Sequence, residues 1–251
     1  MMFPQSKAFL VKEYKASSFH SDCTGRLSLP ALFSLFQEMA WEHATLNNFG
    51  YEHLHSDGLF WALSRVRVEI QNIPKWGEQF TLATWASGTE GLFALRDYQV
   101  NSSDGKKLLG ATSSWLIVDM KTRRPQRLVS FKETITVDES LRATSANAQK
   151  IPNPSSQMAF GIEVNARNLD IDVNGHINNT KYIEWAVNAF PLKLYRDLNV
   201  KEMEINFLAE GFCNDSLRVM VHQESQQQYS IALTRNSDSR QLTLLQLTTY
   251  T

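Results

Sequence analysis

The sequence predicts an α+β protein of two tandem modules, each an antiparallel β-sheet wrapped around a central helix. Three observations carry this expectation. A helix-periodic stretch is followed by several β-rich segments, the same programme restarts after a segment poor in large apolar residues, and short sequences recur at matching places in the two halves. The 251 residues, 43% hydrophobic and 20% charged, suffice for two modules with cores of their own. The boundaries expected are 1–138 for the first module, 139–157 for a linker and 158–251 for the second.

In the first module a strand-like piece around Phe9–Tyr14 leads to Ser28, a suitable helix N-cap, with Pro30 in the first turn. Leu29, Leu32, Phe33, Phe36, Met39, Ala40 and Ala44 then recur at three and four residues, which predicts an amphipathic helix from Leu29 to about Asn47. Four strands are expected at Phe60–Ile70, Gln79–Ala86, Phe93–Val100 and Leu108–Asp119. Turn clusters at Asn72–Gly77, Ser87–Gly91 and Ser102–Gly105 separate them. The Ser-, Ala-, Asn- and Pro-rich stretch that follows reads as a connector. The second module repeats the order: a strand at Phe160–Val164, a shorter helix over about Asn179–Phe190 stopped by Pro191, and strands near Val200–Leu208, Leu217–His222, Ser230–Thr234 and Leu242–Tyr250.

The repetition extends to residues. Asp22-Cys23-Thr24-Gly25-Arg26-Leu27 matches Asp172-Val173-Asn174-Gly175-His176-Ile177, 150 positions later. Val68-Glu69-Ile70 matches Met203-Glu204-Ile205, and Ser103-Asp104-Gly105 matches Ser237-Asp238-Ser239. The copies differ where chemistry would sit. Thr24 and Arg26 stand where the second copy has Asn174 and His176, and an imidazole can shuttle a proton at neutral pH whereas a guanidinium cannot. The second module is therefore the catalytic candidate.

Several function classes are disfavoured. A formal net charge of −1 gives no global attraction to nucleic acid or to a membrane surface. Two cysteines, Cys23 and Cys213, cannot build a disulfide framework, and two thiols in a reducing compartment is the simpler reading. The histidines His20, His43, His53, His55 and His222 show no ligand spacing, so no metal site is expected. The opening MMFPQSKAFLVKEYK lacks the pattern of a secretory signal, and no run approaches a membrane-spanning length, so a cytoplasmic location is expected.

The sharpest segment is Asn168–Asn179. It places Asp172, Asn174 and His176 at i, i+2 and i+4 just before a helix whose N-terminal N–H groups could face a developing oxyanion. The plainer reading of an Asx-rich helix cap accounts for Asp172, Asn178 and Asn179 but leaves His176 unexplained.

The run Leu169-Asp170-Ile171-Asp172-Val173-Asn174-Gly175-His176-Ile177-Asn178-Asn179-Thr180-Lys181-Tyr182-Ile183-Glu184-Trp185 resembles the signature of fatty acyl–acyl carrier protein thioesterases. The likeness extends to Trp61-Ala62-Leu63-Ser64-Arg65-Val66 and to the order and length of nearly the whole chain. It implies two tandem hot-dog modules, with the catalytic segment in the C-terminal one and the acyl chain held in the N-terminal one. There Phe33, Phe36, Met39 and Trp41 become candidate tunnel residues. It implies a further carboxylate after the next strand, which falls on Glu210 here, and no cofactor. The reaction implied is thioester hydrolysis, with Asp172, Asn174, His176 and Glu210 as the catalytic set. Plant members carry a cysteine directly after that glutamate. Here the position is Gly211 and Cys213 lies two residues on, a departure that favours direct attack by water.

The partner implied is an acyl carrier protein bearing a fatty acyl chain, with a homodimer left open. Such carriers are acidic, and Lys121, Arg123, Arg124, Arg127 and Lys132 form a stretch without an acidic residue that could receive one. The rival readings are an acyl-CoA thioesterase on the same fold, a hot-dog dehydratase or hydratase, and a non-catalytic acyl-binding module. The hydratase pattern spaces its Asp and His five apart with a Pro between, whereas the spacing here is four.

Overall fold

The computed structural model describes residues 7–128, 137, 139 and 141–250. The chain forms two compact units, one of residues 1–28 and 32–148 and the other of residues 29–31 and 149–251.

In the first unit β1 (Phe9–Lys15), β2 (Leu59–Ile70), β3 (Gln79–Glu90), β4 (Phe93–Ser102) and β5 (Lys107–Asp119) form an antiparallel sheet in the order β1-β3-β4-β5-β2. The second unit repeats it with β6 (Met158–Asn165), β7 (Val200–Phe207), β8 (Ser216–Gln223), β9 (Gln228–Arg235) and β10 (Gln241–Thr249), ordered β6-β8-β9-β10-β7. Substituting each strand by its counterpart five later converts one order into the other. The duplication read from short sequence matches is therefore a duplication of topology, and the fold is the tandem hot-dog arrangement.

Helix α1 (Leu29–Leu46) buries the expected stripe of Leu29, Leu32, Phe33, Phe36, Met39, Ala40 and Ala44. Burial of each large member stabilises by about 1.5–3 kcal/mol. The helix ends where Asn48 turns left-handed (φ 56°). Phe49 N–H then reaches back to Ala44 O at 2.8 Å, and Asn48 N–H to Thr45 O at 3.1 Å. In the second unit α3 (Asn179–Asn188) starts on Asn178, whose Oδ1 accepts the Thr180 N–H at 3.0 Å.

Three local features depart from the sequence reading. Residues 51–56 form a short helix, α2 (Tyr51–Ser56), which carries His53 and His55. A further short helix, α4 (Leu192–Asp197), follows Pro191. Strand β3 runs through the expected turn at Ser87–Gly91, absorbing Ser87 as a bulge before Gly88, and its hairpin closes at Gly91-Leu92 instead.

The connector is held at both ends. Asp97, fully buried on β4, accepts hydrogen bonds from Ser87 Oγ (2.8 Å), Thr112 Oγ1 (2.8 Å), Ala143 N (2.7 Å) and Arg142 Nε (3.2 Å). The chain lies so close to β5 here that a Cβ on Gly110 would meet Ala143 O at 2.0 Å. In the second unit Asn206 on β7 binds both sides of the connector, accepting from Ile151 N (2.8 Å) and donating to Gln149 O (2.9 Å).

Candidate active site

The site is built from two loops of the second unit. After β6 a 3₁₀ turn, Asn168–Asp170, leads into a tight hairpin closed by the Ile171–Ile177 bridge. Gly175, at φ 80°, supplies the left-handed residue the hairpin needs. Asp172 Oδ1 accepts the N–H groups of Asn174 (2.9 Å) and His176 (3.1 Å), while Asp172 N–H donates to His176 O at 2.8 Å. Asp172 thus folds the hairpin that carries Asn174 and His176.

The second loop follows β7. Ile177 N–H donates to Gly211 O at 2.8 Å and docks the loop onto the hairpin. The loop closes on itself as Phe212 N–H donates to Asp215 Oδ2 (2.9 Å) and Asn214 adopts φ 69°. Arg235 on β9 anchors Asp215 at 3.2 Å and Asp238 at 2.7 Å. The Asp238 bond is the chief reason that the guanidinium pKa is raised and the Asp238 carboxyl is held down at about 2. This scaffold brings Glu210 Oε2 to 3.4 Å from His176 Nε2, with side chains 40% and 16% exposed. A group that water can reach stands beside one largely sheltered from it. Phe212 packs edge-to-face on the imidazole, with centroids 5.4 Å apart.

All four residues expected from the sequence lie on these two adjoining loops. At the start of α3 the Thr180 N–H is taken by Asn178 Oδ1 and the Lys181 N–H by Asn178 O. The N–H groups of Asn174, Gly175 and His176 are likewise spent inside the hairpin. Asn174 is exposed at the hairpin tip.

Gly211 is also explained. A Cβ there would lie 2.5 Å from Ile177 Cδ1 and 2.6 Å from Tyr182 Oη. A cysteine does not fit while Tyr182 packs as it does, its hydroxyl pKa pushed up by burial. Cys213 is exposed, with its Sγ 3.7 Å from Asn168 Oδ1.

The first unit contains the same two loops with other side chains. Asp22 Oδ1 accepts from Thr24 N (2.8 Å) and Arg26 N (3.4 Å), and Gly25 sits at φ 72°. Leu27 N–H donates to Pro74 O at 2.8 Å, as Ile177 does to Gly211. Lys75 N–H donates to Glu78 Oε2 at 2.9 Å, as Phe212 does to Asp215. These matches make Arg26 the counterpart of His176, Ile73 of Glu210 and Lys75 of Phe212.

Phe212, Asp215 and Arg235 were missed by sequence reasoning. The signal available for Asp215 was its place in a loop repeated from Lys75–Glu78. Of the tunnel candidates, Phe33, Phe36 and Met39 are buried. Trp41 is 55% exposed on the solvent side of α1, which corrects its assignment. In the basic stretch Lys121, Arg123, Arg124 and Arg127 are exposed, and Lys132 lies outside the described residues. Among the described residues no helix is long and apolar enough to cross a membrane.

Comparison with known proteins finds matches across both units. Residues 7–130 match the acyl-ACP thioesterase N-terminal domain and residues 155–247 the acyl-ACP thioesterase C-terminal domain. An oleoyl-acyl carrier protein thioesterase of Arabidopsis thaliana is 22% identical, over 94% of this chain and 68% of its own length. A palmitoyl-acyl carrier protein thioesterase of Gossypium hirsutum is 28% identical, over 82% of this chain and 51% of its own. The chain spans about half the length of several such plant relatives, 44% for an acyl carrier protein hydrolase of Cuphea viscosissima. Among solved structures, an acyl-ACP thioesterase from Bacteroides thetaiotaomicron superposes with a TM-score of 0.87 at 28% identity, covering 97% of this chain and 99% of that one. A 12:0-ACP thioesterase from Umbellularia californica shares the fold at 18% identity, with a TM-score of 0.85 and 98% of each chain covered. A duplicated hot-dog chain, with family domains matched in order across both copies and a His–Glu pair in the second, belongs to the acyl-ACP thioesterase family.

Proposed function

We propose that this chain hydrolyses the thioester linking a fatty acyl group to acyl carrier protein, with water attacking directly at the second-unit site. The observation that carries the reading is the Glu210–His176 pair at 3.4 Å, on two adjoining loops whose first-unit copies hold Arg26 and Ile73 instead. Glu210, the more exposed partner, takes the proton of a water molecule as its oxygen adds to the thioester carbonyl carbon. The carbonyl oxygen becomes an oxyanion beside the Asn174 amide. The proton passes from Glu210 to His176, 3.4 Å away, and collapse of the tetrahedral adduct breaks the C–S bond as His176 delivers that proton to the departing thiolate. The products are a free fatty acid and the carrier thiol. Asp172 holds the hairpin, and the Asp215–Arg235 anchor holds the loop that carries Glu210.

The acyl chain is assigned to the first unit and the carrier to the basic turn after β5. The compartment proposed is the cytoplasm, where exposed Cys23 and Cys213 would stay reduced.

Thiol release from a panel of acyl carrier proteins and acyl-CoAs tests the reaction. His176→Ala should lower the rate by about 10²–10⁴ in a folded protein. Near-normal turnover in that variant would reduce His176 to a turn residue. A change in enoyl absorbance without thiol release would favour a lyase.

A further inference from the structure

One end of the first sheet holds a cleft of about 920 Å³, lined by Lys15, Glu78, Ser102, Asp104, Lys106 and Lys107 among others. The second unit repeats the fold and shows the same place filled. Strands β3 and β8 follow the repeated loops and pair with β4 and β9. Phe80 and Leu217, each two residues past the loop carboxylates Glu78 and Asp215, pair with Ser102 and Arg235. Ser102 N–H donates to Lys106 O and Arg235 N–H to Arg240 O, both at 2.9 Å. Ser102 therefore stands where Arg235 stands.

Arg235 bridges two carboxylates, Asp215 at 3.2 Å and Asp238 at 2.7 Å. Glu78 and Asp104 are the counterparts of that pair, and both line the cleft. Glu78 accepts the Lys75 N–H as Asp215 accepts the Phe212 N–H, each at 2.9 Å, so the backbone bond that orients the carboxylate is the same. A serine has a single O–H to donate, and Ser102 Oγ gives it to Asp104. Among the described residues lining the cleft, no guanidinium joins Glu78 to Asp104.

The first unit also gains a cation here. Lys15 pairs with Gln79 where Asn165 pairs with Ser216, so a lysine replaces an asparagine. Lys106 holds the place of Arg240 in the turn. Lys107 Nζ is directed to the connector, donating to Ala143 O at 2.6 Å. Two carboxylates and two other ammonium groups thus line one open space.

We propose that this cleft binds an arginine bearing a free carboxylate: its guanidinium takes the place that Arg235 holds in the second unit, between Glu78 and Asp104, and its carboxylate meets Lys15 and Lys106. The planar guanidinium presents several fixed donors to two carboxylates at once, which a compact ammonium does less well. Free arginine and the last residue of a chain ending in arginine share this chemistry. The site lies wholly in the first unit and stands apart from the thioesterase reading.

Calorimetric titration of the whole protein with arginine, norleucine, argininamide and a peptide ending in arginine tests the proposal. Arginine should bind with a Kd of about 1 mM or tighter, and norleucine and argininamide each at least about tenfold more weakly. Tighter binding of the peptide names a chain terminus as the source, tighter binding of arginine a free amino acid. Ser102→Arg should fill the cleft from within, abolish arginine binding and raise the melting temperature. If that variant does not fold, Glu78→Gln with Asp104→Asn decides, because amide oxygens keep the loop bonds while the charge is lost. Binding should again fall by about tenfold or more. Absence of arginine binding, equal binding of norleucine or argininamide, or undiminished binding in a folded variant would overturn the proposal.

Discussion

Asp172 and Asp22 hold equivalent places in two copies of one turn, each carboxylate accepting the backbone N–H groups two and four residues on. Only the first of them stands beside the His176–Glu210 pair. Alanine at either position removes two backbone hydrogen bonds and should cost stability by a similar amount, about 1–2 kcal/mol. Asp172→Ala should also lower kcat steeply, because His176 loses its hairpin, while Asp22→Ala should leave kcat near normal. Thermal unfolding and thiol release on both variants give the comparison. Equal kcat losses would mean that the first-unit turn takes part in the chemistry.

The glycine after Glu210 leads to a second expectation. Gly211→Ala or Gly211→Cys drives a Cβ into Ile177 and Tyr182 and should destabilise by about 1–3 kcal/mol. Cys213→Ala should retain most activity, since its sulfur is turned toward Asn168. Mass spectrometry after brief exposure to substrate should find no acyl group on Cys213. An adduct there would replace water attack with covalent catalysis.

His43 supplies a pH dependence. Its pKa falls from the ordinary 6.5 to about 4, first by burial and then by the charge of Arg96. The folded state therefore binds fewer protons than the unfolded state between those values. Stability should be complete above about pH 7 and decline as pH drops toward 4, by about 3 kcal/mol at most from this residue. His43→Gln should flatten that decline when unfolding midpoints are measured across the range. An unchanged slope would mean that other groups set the acid limit.

The elements most legible in the sequence were those with long periodic patterns. Helix α1 starts at Leu29, and each strand of both sheets was foreseen to within a few residues, except that β3 ends four residues later than expected. Ser87-Gly88 reads as a turn because bulges use the same small residues. Helices α2 and α4, six residues each, are too short to show a period. Asp172, Asn174 and His176 were visible because one hairpin carries them together. Phe212 and the Asp215–Arg235 anchor were not, because such contacts depend on a loop and a strand brought together by the sheet. Trp41 failed as a tunnel residue because hydrophobicity alone does not say which side of a helix a tryptophan occupies.

The basic turn after β5 separates carrier docking from chemistry. Asp119 Oδ1 accepts the N–H groups of Lys121 (3.0 Å) and Thr122 (2.7 Å), which fixes the turn, and Lys121, Arg123, Arg124 and Arg127 project from it exposed. If this turn guides an acidic carrier, Arg123→Glu with Arg124→Glu should mainly slow association. Charge steering raises on-rates by about 10–10³ and fades as salt screens it. The double variant should lose kcat/KM on acyl carrier protein at low salt, and the gap to wild type should narrow as salt rises. Turnover of a small uncharged thioester should hardly change, because Asp172, Asn174, His176 and Glu210 are untouched. Arg123 also lies over the Phe60 ring at 5.5 Å, so a melting curve belongs in the comparison. Equal losses on both substrates, with a lowered melting point, would trace the effect to that packing. No loss on either would move the docking face elsewhere, for instance to Arg167, Lys181 and Lys201 in the second unit.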